Sequence, residues 1–335
     1  MKILVTGCAG FIGFHLTKRL LSEGHLVFGV DNLNDYYSPA YKIARLQQLG
    51  IDTTIKENEF LYNSNKSFCF IKSDIEADLL YSEFLSKEKF EVVCHLAAQA
   101  GVRHSIEKPQ LYVSSNIQGF FKILEYCRYN PPNKIVFASS SSVYGKNEII
   151  PYLESNKTES PVSLYAATKK SNELFAHCYS ELYGLNVIGL RFFTVYGPWG
   201  RPDMAPFIFT KAVLEGSPIK LFNKGDMLRD FTYIDDITEG VYRTLIDNPK
   251  KIGNKKYRIY NLGNSNTVKL NDFIATIEDI TGKKAHLKEM PMQQGDVKAT
   301  WADISRIKQD YGYAPKTNIK EGLKEFIRWY ENYYQ

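Results

Sequence analysis

Three short segments of this 335-residue chain carry side chains whose types and spacing could do chemistry together. The first is Thr6-Gly7-Cys8-Ala9-Gly10-Phe11-Ile12-Gly13, with glycines spaced GxxGxxG. Glycine at these positions permits a tight turn, close approach of backbone to a pyrophosphate, and close packing of a helix on a strand. The N–H groups and helix dipole are then left to hold phosphates. Asp31 follows at the end of the next expected strand. A carboxylate there accepts hydrogen bonds from a ribose 2′,3′-diol and repels a 2′-phosphate. The next residue is Asn32 and not a cation, which points to NAD over NADP.

The second segment, Tyr165-Ala166-Ala167-Thr168-Lys169, puts a tyrosine and a lysine at i and i+4 on one helix face. A phenol titrates near ~10 and is a poor base at neutral pH. A cation one turn away is expected to stabilise the phenolate and draw that pKa down, and the lysine can also hold a nicotinamide ribose. YxxxK alone is most often an ordinary surface pair. It gains force from the third segment, Ser139-Ser140-Ser141-Ser142, at the C-terminal end of an expected strand, the edge where open α/β sheets bind ligands. Together the three segments suggest a hydride-transfer site.

The elements that must position them alternate. Ile3–Thr6, Leu26–Val30, Phe68–Ile71, Val92–Leu96, Lys134–Ala138 and Val187–Arg191 are predicted strands, short and near-continuously apolar as in strands buried on both faces. Phe11–Ser22 and Ser163–Tyr183 carry apolar residues at helical spacing. The alternation predicts an α/β fold, a doubly wound parallel (Rossmann) sheet. Asn32–Ser67 interrupts it as a Tyr- and Asn-rich insertion with a helix near Tyr41–Leu49. Beyond Gly197 the pattern loosens into Pro- and Gly-punctuated short elements. This predicts an NAD-binding domain over 1–196, with a returning contribution near 226–265, and a smaller C-terminal α/β substrate domain over 197–335.

Composition excludes several function classes. Lys plus Arg at 42 against Asp plus Glu at 37 gives +5, too little over this length for a nucleic-acid footprint. The densest basic stretch, Lys250–Lys256, includes Gly253 and Asn254 and is expected to be a solvated loop. Cys8, Cys69, Cys94, Cys127 and Cys178 are odd in number, lack CxxC spacing and lie mostly in apolar runs, which favours reduced, buried thiols and a cytoplasmic protein. The histidines show no ligand spacing with cysteine, so no metal site is expected. No apolar run approaches the ~18 residues of a membrane span. The chain opens directly into Lys2-Ile3-Leu4-Val5, so no signal peptide and no membrane partner are expected.

With these motifs the chain resembles the extended short-chain dehydrogenase/reductase family. The resemblance runs from TGCAGFIG through HLAAQAGVRHS, SSSSVYG, SLYAATKK, RFFTVYGPWGRPDMA and RDFTYIDD to QGDVKATWADIS. Within the family it is most similar to UDP-glucuronate 4-epimerases, including those of capsular polysaccharide biosynthesis. The resemblance implies NAD at Gly7, Gly10, Phe11, Ile12, Gly13, Asp31 and Asn32, with Asp74 and Ile75 at the adenine and Leu96, Ala97 and Ala98 along the cofactor. It implies Ser140, Tyr165 and Lys169 as catalytic residues, with the last two also contacting NAD, and Arg229 and Asp296 at the nucleotide of a UDP-sugar. Ser141, Ser142, Thr194 and Arg201 would surround the uronate carboxylate. A homodimer built on helices near Ser114–Tyr129 and Ser163–Tyr183 is also implied. Where galactose epimerases carry an arginine before the Gly-Asp pair, this chain has Gln293-Gln294, so part of the diphosphate grip must come from elsewhere.

The implied reaction oxidises the sugar at C4′, lets the 4-keto sugar turn over in the pocket, and returns the hydride to its other face. Sugar 4,6-dehydratases carry an Asp-Glu pair after the catalytic hydroxyl; here Ser141 and Ser142 stand there, which argues against elimination. UDP-glucuronate decarboxylases keep a glutamate at the second of these positions, and it too is absent. Other readings stay open. They are a 4-epimerase of another UDP-sugar (N-acetylhexosamine, its uronate, or glucose), a nucleotide-sugar dehydrogenase that releases NADH, and a non-catalytic NAD-binding regulator.

Overall fold

Runs of Val, Ile and Phe too short for helices, each closed by a polar or glycine turn, fold into the strands. The computed structural model describes residues 1–52, 54–250, 255–291 and 297–334. The strands are β1 (Lys2–Thr6), β2 (Leu26–Asp31), β3 (Phe60–Tyr62), β4 (Phe68–Lys72) and β5 (Val92–His95). They continue with β6 (Lys134–Ser140), β7 (Val187–Phe192), β8 (Thr194–Tyr196), β9 (Pro218–Phe222) and β10 (Leu228–Tyr233). β11 (Tyr257–Leu262), β12 (Thr267–Lys269) and β13 (His286–Met290) complete them.

The main sheet has the order β11-β7-β6-β5-β1-β2-β4-β3. All neighbours are parallel except β3, which pairs antiparallel with β4 at the edge. The run β4-β2-β1-β5-β6-β7 is the doubly wound nucleotide-binding order, and its direction reverses between β1 and β5, where such sheets open a crevice. β5 and β7 are buried along their whole length, as both-face coverage by helices requires. The short strand β3 had no legible period in the Asn32–Ser67 insertion. The insertion's helix, α2 (Pro39–Gln48), did have one.

The main sheet takes β11 back from far along the chain, while β8, immediately after β7, leaves it. β8 pairs with β10 in a three-stranded sheet with β12, and β9 pairs with β13. The helix Ile234–Ile246 then returns to pack on α1 (Phe11–Ser22), so the two parts share one continuous apolar cluster that includes Phe14, Leu20, Ile237 and Val241. Four of the five cysteines are buried thiols; Cys178 is exposed on the outer face of the helix Leu164–Tyr183, against the expectation for it. Among the described residues no helix is long and apolar enough to cross a membrane, and no cluster of His, Cys, Asp or Glu could hold a metal ion. Residues 251–254 of the Lys250–Lys256 stretch lie outside the described residues.

Candidate active site

The C-terminal ends of β1, β2, β5 and β6 open into one cavity of about 440 Å³. At its floor is the glycine turn. Gly7 adopts φ +73°, and a Cβ there would stand 2.7 Å from Ala97 N at the end of β5. Gly13 passes still closer: its Cβ would fall 2.0 Å from Gly7 O. Helix α1 therefore starts hard against the turn, with Gly10 as N-cap and no side-chain cap. The first-turn amides have no intrahelical acceptor, and Gly10, Phe11, Ile12 and Gly13 all line the cavity. This is a backbone cradle suited to a diphosphate.

Asp31 ends β2 almost fully buried. Its Oδ2 accepts from Ala9 N at 3.2 Å, and its Oδ1 from Leu33 N at 2.9 Å and Lys42 Nζ at 3.0 Å. Lys42 comes from α2, is itself buried, and also donates to Asn34 Oδ1 at 3.0 Å. A cation absent from the neighbouring sequence is thus supplied beside Asp31 in space, by Lys42. Asp31 still offers acceptors to a ribose diol, with Lys42 as a donor beside it. Asn32 lines the cavity and donates to Asp74 Oδ2 at 3.2 Å; Asp74 lies just behind the wall. Ile75, Leu96, Ala97 and Ala98 continue the lining toward the sheet centre. Ser73 Oγ, on the same wall, is buried without a hydrogen-bond partner among the described residues, a polar atom that a purine could satisfy. These features fit an adenine dinucleotide.

Opposite stands the helix Leu164–Tyr183, capped by Ser163 Oγ accepting from Ala166 N at 3.1 Å. It presents Tyr165 and Lys169 to the cavity, where Ser140 meets them. Ser140 Oγ accepts from Ser142 N at 3.2 Å and from Ser142 Oγ at 2.9 Å, and its hydroxyl favours the ionised form of the Tyr165 phenol. Ser139 turns away to Glu173, at 2.7 Å, whose carboxylate also takes a bidentate pair from Arg191. The expected depression of the phenol is not what the protein alone provides. Burial pushes Tyr165 above its usual range, opposed by the Ser140 hydrogen bond and the Arg201 charge. Lys169 instead donates to Ala138 O at 2.8 Å, and burial lowers its pKa to about 7.

That lowered value carries a sign. Between about 7 and the ordinary lysine value, the unfolded chain holds a proton that the folded chain lacks. Stability from this group therefore rises with pH across that window, and its burial cost is full below it. Lys169→Met is expected to stabilise the NAD-free protein at pH 6 by on the order of 1 kcal/mol, and to flatten the rise with pH, while turnover collapses. Denaturant unfolding of both proteins at pH 6 and 9 checks it; equal pH slopes would contradict the assignment.

Ser141, Ser142, Thr194, Arg201 and Arg229 line the other end of the same cavity. Arg201, in a Gly/Pro loop where a surface position would be the ordinary outcome, is only 20% exposed. Arg229 Nη1 donates to the carbonyls of Leu228 and Lys298 at 2.9 and 3.2 Å. Asp296 and Gln293-Gln294 lie outside the described residues. Lys42, Asn34, Tyr36 and Gln99 also line the cavity and were not singled out from sequence. The signal available for Lys42 was a cation on the apolar face of α2, beside Arg45 and Leu46, which are also buried.

Residues 3–263 match the model of the NAD dependent epimerase/dehydratase family. Protein CapI of Staphylococcus aureus is 48% identical over the full length of both chains. UDP-glucuronate 4-epimerase 1 of Arabidopsis thaliana is 45% identical, over all of this chain and 77% of the plant protein. A crystal structure of UDP-glucuronic acid 4-epimerase from Bacillus cereus in complex with UDP-glucuronic acid and NAD superposes with a TM-score of 0.88 at 35% identity, covering both chains completely. With its family match across most of the chain, this protein belongs to the NAD dependent epimerase/dehydratase family.

Proposed function

We propose that this protein is an NAD-dependent UDP-glucuronate 4-epimerase, interconverting UDP-glucuronate and UDP-galacturonate through a 4-keto intermediate. What supports the reading most is one juxtaposition: Ser140, Tyr165, Lys169 and Arg201 share a cavity with the glycine cradle. Relatives similar over the whole chain bear the same activity in their names.

The cavity lining supports these cofactor roles. The amides at Gly7, Gly10, Phe11, Ile12 and Gly13 hold the diphosphate; Asp31, Asn32 and Lys42 hold the adenosine ribose. Ser73, Asp74 and Ile75 flank the adenine, while Leu96, Ala97 and Ala98 run along the cofactor. Tyr165 and Lys169 meet the nicotinamide ribose. Bound NAD supplies the two-electron acceptor, and later donor, for the sugar C4–H.

The chain's residues move the proton. Tyr165 Oη takes it from the C4 hydroxyl and returns it at the end; Ser140 steadies the phenolate with its hydroxyl. Arg201 favours that anion electrostatically, against the burial that resists it. A C4-oxidised uronate is a β-keto acid and loses CO₂ if its carboxylate bond aligns with the carbonyl π system. Ser141, Ser142 and Thr194 donate to the carboxylate and Arg201 grips it bidentately, holding it out of alignment. Arg229 and Asp296 hold the UDP moiety. Arg201→Ala is expected to bind UDP-glucuronate roughly tenfold less tightly, below the cost of losing a fully buried partner because Arg201 is partly exposed. UDP-glucose affinity should change far less, and the residual reaction should leak CO₂ and a UDP-4-keto-pentose. Calorimetry with both sugars and mass spectrometry of products test this; an equal loss for the two sugars would reject Arg201 as anchor.

The same reading takes 1–196, with the returning stretch near 226–265, as the NAD-binding domain and 197–335 as the UDP-sugar domain. It also takes the protein as a cytoplasmic homodimer serving polysaccharide biosynthesis. Apolar side chains exposed on the proposed dimer helices support the homodimer: Phe121 on Phe120–Tyr129, and Leu174, Leu182 and Tyr183 on Leu164–Tyr183.

The test is NMR of UDP-glucuronate with purified protein and no added cofactor. UDP-galacturonate should appear with no bulk NADH. Stoichiometric NADH would indicate a dehydrogenase, and no reaction with or without NAD would remove the enzyme reading.

A further inference from the structure

Arg201, assigned above to the uronate carboxylate, already grips a carboxylate of its own chain. Its Nε donates to Asp203 Oδ1 at 3.0 Å and its Nη2 to Asp203 Oδ2 at 2.6 Å. This parallel two-bond fork is the geometry an arginine uses on any free carboxylate. Tyr36, from the insertion after β2, completes the arrangement. Its Oη donates to Asp203 Oδ2 at 2.8 Å and lies 3.4 Å from Arg201 Nη2, and the guanidinium stands over its ring at 5.3 Å. Gly101 leaves room for the hydroxyl: a Cβ there would come within 2.5 Å of it. Tyr36 and Arg201 both line the cavity. Burial works against the Asp203 carboxylate, yet the Arg201 charge and hydrogen bonds outweigh it and hold the group below the usual carboxylate range. The side chain is charged throughout the neutral range.

We propose that Asp203 is an internal competitor that a substrate carboxylate must displace from Arg201, with Tyr36 retaining Asp203 when the arginine is given up. The proposal rests on the reading of the substrate as a UDP-uronate and adds a specificity-setting residue to it. A neutral UDP-hexose offers Arg201 nothing to exchange for the fork, so it leaves the Arg201–Asp203 pair intact. A UDP-uronate draws the guanidinium to its own carboxylate, leaving Asp203 on the Tyr36 hydroxyl and water. The net uronate affinity is the difference between two similar bonds and not the full value of one. That difference lets a product bearing the same carboxylate leave.

The competition fixes a sign that a merely supporting role would not give. In the NAD-containing full-length protein, Asp203→Asn removes the competing charge in the same shape. UDP-glucuronate should then bind roughly three- to tenfold tighter, as expected for losing a partly exposed ion-pair competitor. UDP-glucose affinity should stay within about twofold. Slower product release should lower kcat together with KM, so kcat/KM holds or rises. Tyr36→Phe should act in the opposite direction. A hydroxyl donates more strongly to an unpaired carboxylate than to a paired one, so its loss penalises the exchanged state and weakens UDP-glucuronate binding by about threefold. Calorimetry with both sugars and initial rates measure all four quantities. Weaker or unchanged UDP-glucuronate binding in Asp203→Asn, with NAD content and melting temperature retained, would overturn the proposal and leave Asp203 as a brace for Arg201. If Asp203→Asn does not fold, unchanged or tighter binding in Tyr36→Phe overturns it alone. A wild-type protein that epimerises UDP-glucose but not UDP-glucuronate would instead refute the uronate reading beneath it.

Discussion

Replacing Tyr165 with phenylalanine is expected to cut epimerisation by roughly 10²–10⁴-fold, the usual contribution of a positioned general base. The aromatic ring is retained, so its edge contact with Tyr112, at 6.1 Å between ring centres, and its place in the cavity wall survive. The proton of the C4 hydroxyl then has only Ser140 as acceptor, and a neutral serine hydroxyl is far too weak a base for it. UDP-glucuronate should still bind within a few-fold of wild type, since Arg201 and the serines that meet the carboxylate are untouched. Initial rates and calorimetry distinguish the two effects. Near-normal turnover in this variant would mean that the base lies elsewhere.

The second large effect is structural. Gly13→Ala sets a methyl group 2.0 Å from Gly7 O and 2.8 Å from Gly7 C, both backbone atoms within the turn. No rotamer change relieves such a contact. Helix α1 must shift away from β1, yet Phe14, Leu16 and Leu20 anchor it in the apolar cluster. The Gly7 carbonyl that would be struck is also the acceptor of Gly10 N at 3.0 Å, so the cradle itself opens. We expect a stability loss of ~3 kcal/mol or more, at or above the top of the usual overpacking range, and protein that no longer copurifies with NAD. Cofactor content after denaturation, alongside circular dichroism to verify the fold, gives the outcome. A variant carrying a full complement of NAD would show that the turn does not form the cradle.

How much of this was legible in the sequence differs from residue to residue. The glycine spacing dictates a conformation at one place in the chain, and helix α1 and the turn follow from it locally. The helix Leu164–Tyr183 was visible for the same reason, as an unbroken helical period with Ser163 before it and Gly184, in the left-handed conformation, after it. The spacing of Tyr165 and Lys169 told that they share a face. It could not tell that Lys169 would spend its ammonium on Ala138 O, because that contact depends on how deeply the helix packs on β6. Lys42 was missed because its partner Asp31 lies across a turn and a helix start, and the pairing exists only once α2 folds back over β2. Likewise β8 follows β7 with a single residue between them but pairs with β10, a choice made by tertiary packing and not by local pattern. Tyr36 and Asp203 are 167 residues apart, and nothing short-range links them.

We expect hydride to leave C4 of the sugar and return to the same carbon within one binding event. UDP-glucuronate carrying deuterium at C4 tests it directly in the presence of the purified protein and a trace of unlabelled NAD. UDP-galacturonate should form with the deuterium retained at C4 and no label accumulating in the free cofactor pool, as read by mass spectrometry and deuterium NMR. Product with hydrogen at C4, or label appearing stoichiometrically in released NADH, would contradict it.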